Sequence, residues 1–224
     1  MVMTAVLSNK RIRVKMCGFT RPQDIQEAVS AGADAIGFVF YPKSKRYVNL
    51  KLAAALRQQV PAFVQSVALF VNAKPAFVRQ VIEQIKPDLL QFHGDESMAY
   101  CESFKYPYIR AFRVGAPSMN TPDSLLDVCR KYPDAKGWLF DSYSPAYGGS
   151  GLSFDDELLT SVQQQRTVDV PPLILAGGIR HDNVQENIAQ HRPFAIDVSS
   201  AIEEAPGIKN AEKIHAFMQQ LNDF

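Results

Sequence analysis

Cysteine is scarce here, and what there is does not pair. The three cysteines, Cys17, Cys101 and Cys129, form no C-x-x-C unit, which leaves nothing for a disulfide framework or a thiolate metal site. The four histidines, His93, His181, His191 and His215, show no metal-ligand spacing, so no metal is expected. There is no run of eighteen apolar residues, which excludes a membrane-spanning helix. Neither sign of charge prevails: 24 Lys and Arg face 23 Asp and Glu, a net charge of +1. That balance favours neither nucleic acid nor an anionic membrane as a partner. The opening M-V-M-T-A-V-L-S-N-K has no basic start and no long apolar stretch, which argues against a secretory signal. It reads as a short arm, residues 1–11, before the first strand. With an odd number of cysteines, these features fit a reducing cytoplasm. No low-complexity segment or flexible linker divides the chain, so one domain over residues 1–224 is expected.

What is present is alternation. Strand-like segments fall at 13–17, 35–40, 66–71, 89–92, 108–113, 137–141, 173–176 and 194–198, with helical patterns between them. Thr20 is a candidate helix cap, followed by Pro22 in the first turn. Ile25, Ala28 and Val29 then form an apolar stripe that Gly32 ends. The last helix carries Ala211, Ile214, Phe217, Met218 and Leu221 on one face. Eight such units predict a closed (β/α)8 TIM barrel, with an open doubly wound sheet as the alternative. In a barrel, functional groups gather at the carboxyl ends of the strands. Cys17, the segment 41–46, Asp141, the Gly177–Gly178 pair and the Ser199–Ser200 pair all occupy such positions.

Those positions carry usable chemistry. In R-V-K-M-C, alternation sets Arg13, Lys15 and Cys17 on one face, so an ammonium lies beside a thiol and favours its thiolate. Cys101 and Cys129 fall at apolar helix positions and read as small core residues. Asp141, in W-L-F-D-S, faces inward with Leu139; strands one and six are on opposite sides of a barrel, so thiol and carboxyl approach a ligand from two directions. The blander reading of Asp141 is a turn or a helix cap. L-A-G-G-I and D-V-S-S-A-I-E end strands seven and eight, where phosphate is usually held in this barrel; separately they would be a tight turn and a cap. Arg46, in Y-P-K-S-K-R-Y, suits a bidentate grip on a carboxylate, although a solvated basic loop is the simpler account. Asp197 faces inward and needs a partner, for which Lys15 is the nearest candidate. His93, in L-L-Q-F-H-G-D-E, reads as a hydrogen-bonded core or turn histidine. The glycine-rich loop after Asp141 reads as a lid or a flexible turn.

The stretches V-K-M-C-G-F-T, G-F-V-F-Y-P-K-S-K-R-Y-V, L-L-Q-F-H-G-D-E, L-F-D with Y-G-G-S-G-L-S-F-D, L-A-G-G-I and R-P-F-A-I-D-V-S-S run in order along nearly the whole chain. In this the chain resembles phosphoribosylanthranilate isomerase. The resemblance implies a cofactor-free and metal-free barrel enzyme of tryptophan biosynthesis. Its substrate would be a phosphorylated sugar–anthranilate conjugate, rearranged by Amadori chemistry. It further implies Cys17 as general base, Asp141 as general acid, Arg46 on the anthranilate carboxylate and Asp197 on the sugar hydroxyls. Gly177, Gly178, Ser199 and Ser200 would hold the phosphate, and the protein would be a monomer or homodimer. Where the family has glycine after D-V-S-S, this chain has Ala201, which a positive φ would strain. Two other functions are weighed beside this one. A broader aminoaldose isomerase would more naturally use two aspartates. A catalytically silent phosphate-binding barrel would not need Cys17 and Asp141 together.

Overall fold

The computed structural model describes residues 11–143, 155–165 and 169–222. Eight parallel strands close into a barrel in the order β1 to β8. They are β1 (Arg13–Cys17), β2 (Ala35–Val39), β3 (Gln65–Phe70), β4 (Leu89–Phe92), β5 (Tyr108–Val114), β6 (Trp138–Ser142), β7 (Leu173–Leu175) and β8 (Ala195–Val198). Helices follow the strands: α1 (Pro22–Ser30), α2 (Leu50–Arg57), α3 (Pro75–Ile85), α4 (Met98–Glu102), α5 (Pro122–Cys129), α6 (Thr160–Gln164), α7 (Val184–His191) and α8 (Ala211–Asn222). The predicted strands agree to within a residue or two. The open-sheet alternative falls, because β1 pairs with both β2 and β8.

Strands buried on both faces are near-continuous apolar runs, and β2, A-I-G-F-V, is buried throughout. Large side chains go outward. Phe38, Phe40, Phe70, Phe92, Phe112 and Phe140 form the layer between sheet and helices, with Phe40 on Phe70 and Phe112 on Phe140 at 5.5 and 5.7 Å between ring centres. Small ones go inward: Ala35, Ala111, Ala176 and Ala195 join Val67, Ile109, Leu139 and Ile174 to plug the barrel. Above that plug, Cys17, Val39, Leu69 and Val71 form a separate apolar cluster at the mouth.

Two local readings change, and one element was not read. Arg21, not Thr20, occupies the N-cap position of α1, without a side-chain capping bond; it pairs with Asp24, while the Thr20 hydroxyl donates to the Gly207 carbonyl. Ala211 is exposed in the first turn of α8, whose buried face is Ile214, Phe217, Met218 and Leu221. An antiparallel hairpin, β9 (Glu203–Ala205) with β10 (Ile208–Lys209), precedes α8; its strands are too short to show a period in the sequence. Most of the N-terminal arm and residues 144–154 of the loop after Asp141 lie outside the described residues. Among the described residues no helix is long and apolar enough to cross a membrane.

Candidate active site

The β1 face that carries Lys15 and Cys17 points into the barrel mouth. Lys15 and Asp197 are register partners across β1 and β8, and the Lys15 ammonium reaches both carboxylate oxygens at 2.8 Å. Both side chains are almost wholly buried. Burial works against the Lys15 charge, but Asp197 and Cys17 outweigh it, and Lys15 holds its proton more tightly than usual. For Cys17 burial is the largest influence and pushes the thiol up. Lys15 pulls the other way, as its neighbouring position suggested, but does not prevail. Burial thus disfavours the thiolate, which, once formed, is a stronger base than an ordinary one.

Asp141 sits near the end of β6. Its Oδ1 accepts the Ser142 N–H at 2.9 Å, and its Oδ2 lies 3.1 Å from His93 Nε2. The other ring nitrogen of His93 faces Gln91 Nε2 at 3.0 Å, so the imidazole is held between Gln91 and Asp141. The backbone on either side of His93 is clamped, since Arg110 donates to the Phe92 and Gly94 carbonyls at 2.8 Å and Glu96 accepts the Gly94 N–H at 2.8 Å. His93 is thus hydrogen-bonded, as expected, but it also lines the cavity beside the acid. Its place at the end of β4 was the available signal; the following G-D-E made a turn the simpler reading.

Gly177 and Gly178 both have positive φ, +73° and +68°. A Cβ on Gly177 would fall 2.4 Å from Ser142 Oγ and 2.9 Å from Asp141 Oδ1, so this glycine also lets the β7 loop close on the acid. The Ser199 hydroxyl donates to the Cys17 carbonyl at 2.9 Å, joining the β8 loop to the end of β1. Ser200 opens a 3-10 turn to Ile202. Ala201 lies within that turn without entering the left-handed region, so alanine in place of glycine brings no backbone strain. Arg46 is not a solvated loop residue: it is mostly buried and pairs with Glu203 through two hydrogen bonds of 2.8 and 2.6 Å. Glu203 went unnoticed in the sequence.

All eight residues singled out at the strand ends, Cys17, Arg46, Asp141, Gly177, Gly178, Asp197, Ser199 and Ser200, line one cavity, together with His93, Tyr41 and apolar side chains of the mouth. A thiol, a carboxyl, glycine-rich turns and a fixed guanidinium around one opening suit proton transfer on a bound anion. Among the described residues no cluster of His, Cys, Asp or Glu is disposed to hold a metal ion.

A family profile described as N-(5'phosphoribosyl)anthranilate (PRA) isomerase matches residues 14–220. The chain belongs to the phosphoribosylanthranilate isomerase family. The isomerase of Bordetella petrii is 57% identical over 208 residues, covering 93% of this chain and 94% of that one. That of Thiobacillus denitrificans is 47% identical over 210 residues, covering 93% and 97%. The crystal structure of phosphoribosylanthranilate isomerase from Thermotoga maritima superposes with a TM-score of 0.83 at 34% identity, covering 95% of this chain and all of that one. A further crystal structure of the family holds reduced 1-(o-carboxyphenylamino)-1-deoxyribulose 5-phosphate; it superposes at 0.80 with 32% identity, covering 95% and 100%. As a phosphoribosylanthranilate isomerase, the chain is an enzyme of tryptophan biosynthesis. It converts N-(5-phosphoribosyl)anthranilate to the 1-deoxyribulose phosphate by an Amadori rearrangement.

Proposed function

We propose that the enzyme works its substrate between Cys17 and Asp141. Protonated Asp141 donates to the furanose ring oxygen; the ring C–O bond breaks as the anilino nitrogen forms a Schiff base. The Cys17 thiolate then takes the proton from C2′, and the electrons move to give a neutral enolamine that tautomerises to the ketone. One proton enters and one leaves, so the substrate's charge is unchanged. Asp197, held by Lys15, receives the sugar hydroxyls. Backbone and side-chain groups around Gly177, Gly178, Ser199 and Ser200 hold the phosphate, and Arg46 holds the anthranilate carboxylate. With both ends fixed, C2′ and the ring oxygen sit between the two proton-transfer groups. The observation that carries this reading is the shared cavity, to which all eight residues contribute.

No resident cofactor or metal enters the scheme. The catalytic unit is one barrel domain, cytoplasmic, and a monomer or homodimer; a related structure describes monomers generated from the dimeric Thermotoga maritima enzyme.

Steady-state turnover of phosphoribosylanthranilate tests the assignment, followed as loss of anthranilate-type fluorescence. The wild type turns over, whereas Cys17→Ala and Asp141→Asn bind phosphate but turn over at least about 10²-fold more slowly. Normal turnover in either variant removes that residue from the scheme. Phosphate binding without turnover in the wild type would leave only a binding barrel.

A further inference from the structure

Glu203 lies on β9, outside the barrel wall, yet its carboxylate is buried and accepts four hydrogen bonds. Arg46 Nε, Lys209 Nζ and the Gly207 N–H reach Oε1 at 2.8, 2.9 and 3.2 Å, and Arg46 Nη2 reaches Oε2 at 2.6 Å. A guanidinium is planar and rigid, so holding its Nε–Nη2 edge fixes the whole group. Because Arg46 also lines the cavity, contact with a ligand falls to the N–H groups that Glu203 leaves. The stem of Arg46 is fixed as well: it crosses Gly18 so closely that a Cβ there would lie 2.4 Å from Arg46 Cδ.

Lys209 completes the arrangement. Its ammonium is buried, and its three donors go to Glu203, to the Cys17 carbonyl at 2.5 Å and to the Ser199 carbonyl at 3.2 Å. It therefore joins the end of β1, the β8 loop and Glu203. Arg46 and Lys209 bring two positive charges and Glu203 one negative charge, so the buried trio is one anion short of neutrality beside the cavity. A ligand carboxylate at the free edge of Arg46 would supply that anion.

We propose that Glu203 is a positioning residue for substrate recognition: it presents Arg46 to the ring carboxylate of the substrate, with Lys209 anchoring Glu203 to the ends of β1 and β8. This rests on the reading of Arg46 as the carboxylate ligand. The test measures affinity for two ligands, reduced 1-(o-carboxyphenylamino)-1-deoxyribulose 5-phosphate and its counterpart without the ring carboxylate, together with KM, kcat and thermal melting.

Glu203→Gln, which conserves the side-chain volume, weakens the carboxylated ligand roughly tenfold or more, as expected for a displaced charge-assisted contact. It leaves the decarboxylated ligand within about twofold, and it raises KM more than it lowers kcat. Glu203→Ala combined with Lys209→Met, which leaves no unpaired buried ammonium, shows the same selective loss. Equal losses for both ligands, or no loss for either, overturn the proposal, as does failure of both variants to fold, since the trio is then structural. Arg46→Ala separates the two claims. If it binds both ligands like the wild type, the reading of Arg46 fails; if it loses only the carboxylated ligand while Glu203→Gln does not, the inference about Glu203 fails alone.

Discussion

Gly37 stands opposite Cys17 in the β1–β2 register, and a Cβ on Gly37 would lie 2.6 Å from the Cys17 sulfur. The missing side chain on β2 is the space that the thiol occupies. Both strands are otherwise tightly packed, so the sulfur cannot keep its place beside a methyl group. Gly37→Ala is expected to fold, because alanine suits an extended strand, and to turn over about 10²-fold more slowly, the cost of misplacing a reacting group by roughly 1 Å. Thermal melting with steady-state kinetics checks this; normal kcat in a folded variant would show that the thiol's exact place does not matter.

Cys17→Ser and Asp141→Asn each remove one proton-transfer group while conserving shape. Each should lower kcat by about 10²–10⁴-fold and leave KM within severalfold, because neither group anchors the phosphate or the carboxylate. A large rise in KM with kcat preserved would assign the residue to binding instead.

Lys15 and Asp197 form a buried ion pair, and deleting one partner strands the other charge. Lys15→Met is expected to cost about 3–5 kcal/mol of folding stability. Lys15→Met combined with Asp197→Leu should recover part of that loss without recovering activity. Urea denaturation of the single and double variants measures the coupling, and additive losses would deny it.

Alkylation of Cys17 should depend on pH in a defined direction. Burial holds its thiol above the ordinary value, and the thiolate is the form that reacts, so labelling by iodoacetamide rises with pH and is still rising at about pH 9. Lys15→Met removes the opposing ammonium, moves the profile further alkaline and slows labelling at any fixed pH below it. Cys101 on α4 and Cys129 on α5, both fully buried, stay unlabelled in the native protein. A plateau near neutrality would contradict the burial argument.

The barrel was legible because strands in a parallel sheet are apolar on both faces and are punctuated by turn residues. V-A-L-F-V and A-I-G-F-V-F announce themselves. The hairpin of β9 and β10 was not legible, because a three-residue and a two-residue strand show no period. His93 was half legible: its strand end was visible, but its contact with Asp141 crosses 48 residues of chain.

Local order in the chain determined which residues share a face: alternation alone set Lys15 with Cys17, Leu139 with Asp141, and Asp197 inward toward Lys15. Closure of the barrel decided the rest. Arg46 and Glu203 are 157 residues apart, and no spacing rule joins them; they meet because closure sets β1 between β2 and β8, and the hairpin that follows β8 reaches the loop that follows β2. The state of the Cys17 thiol was likewise decided in three dimensions. An adjacent lysine can be read from sequence, but the burial that outweighs it depends on every strand that packs around the sulfur.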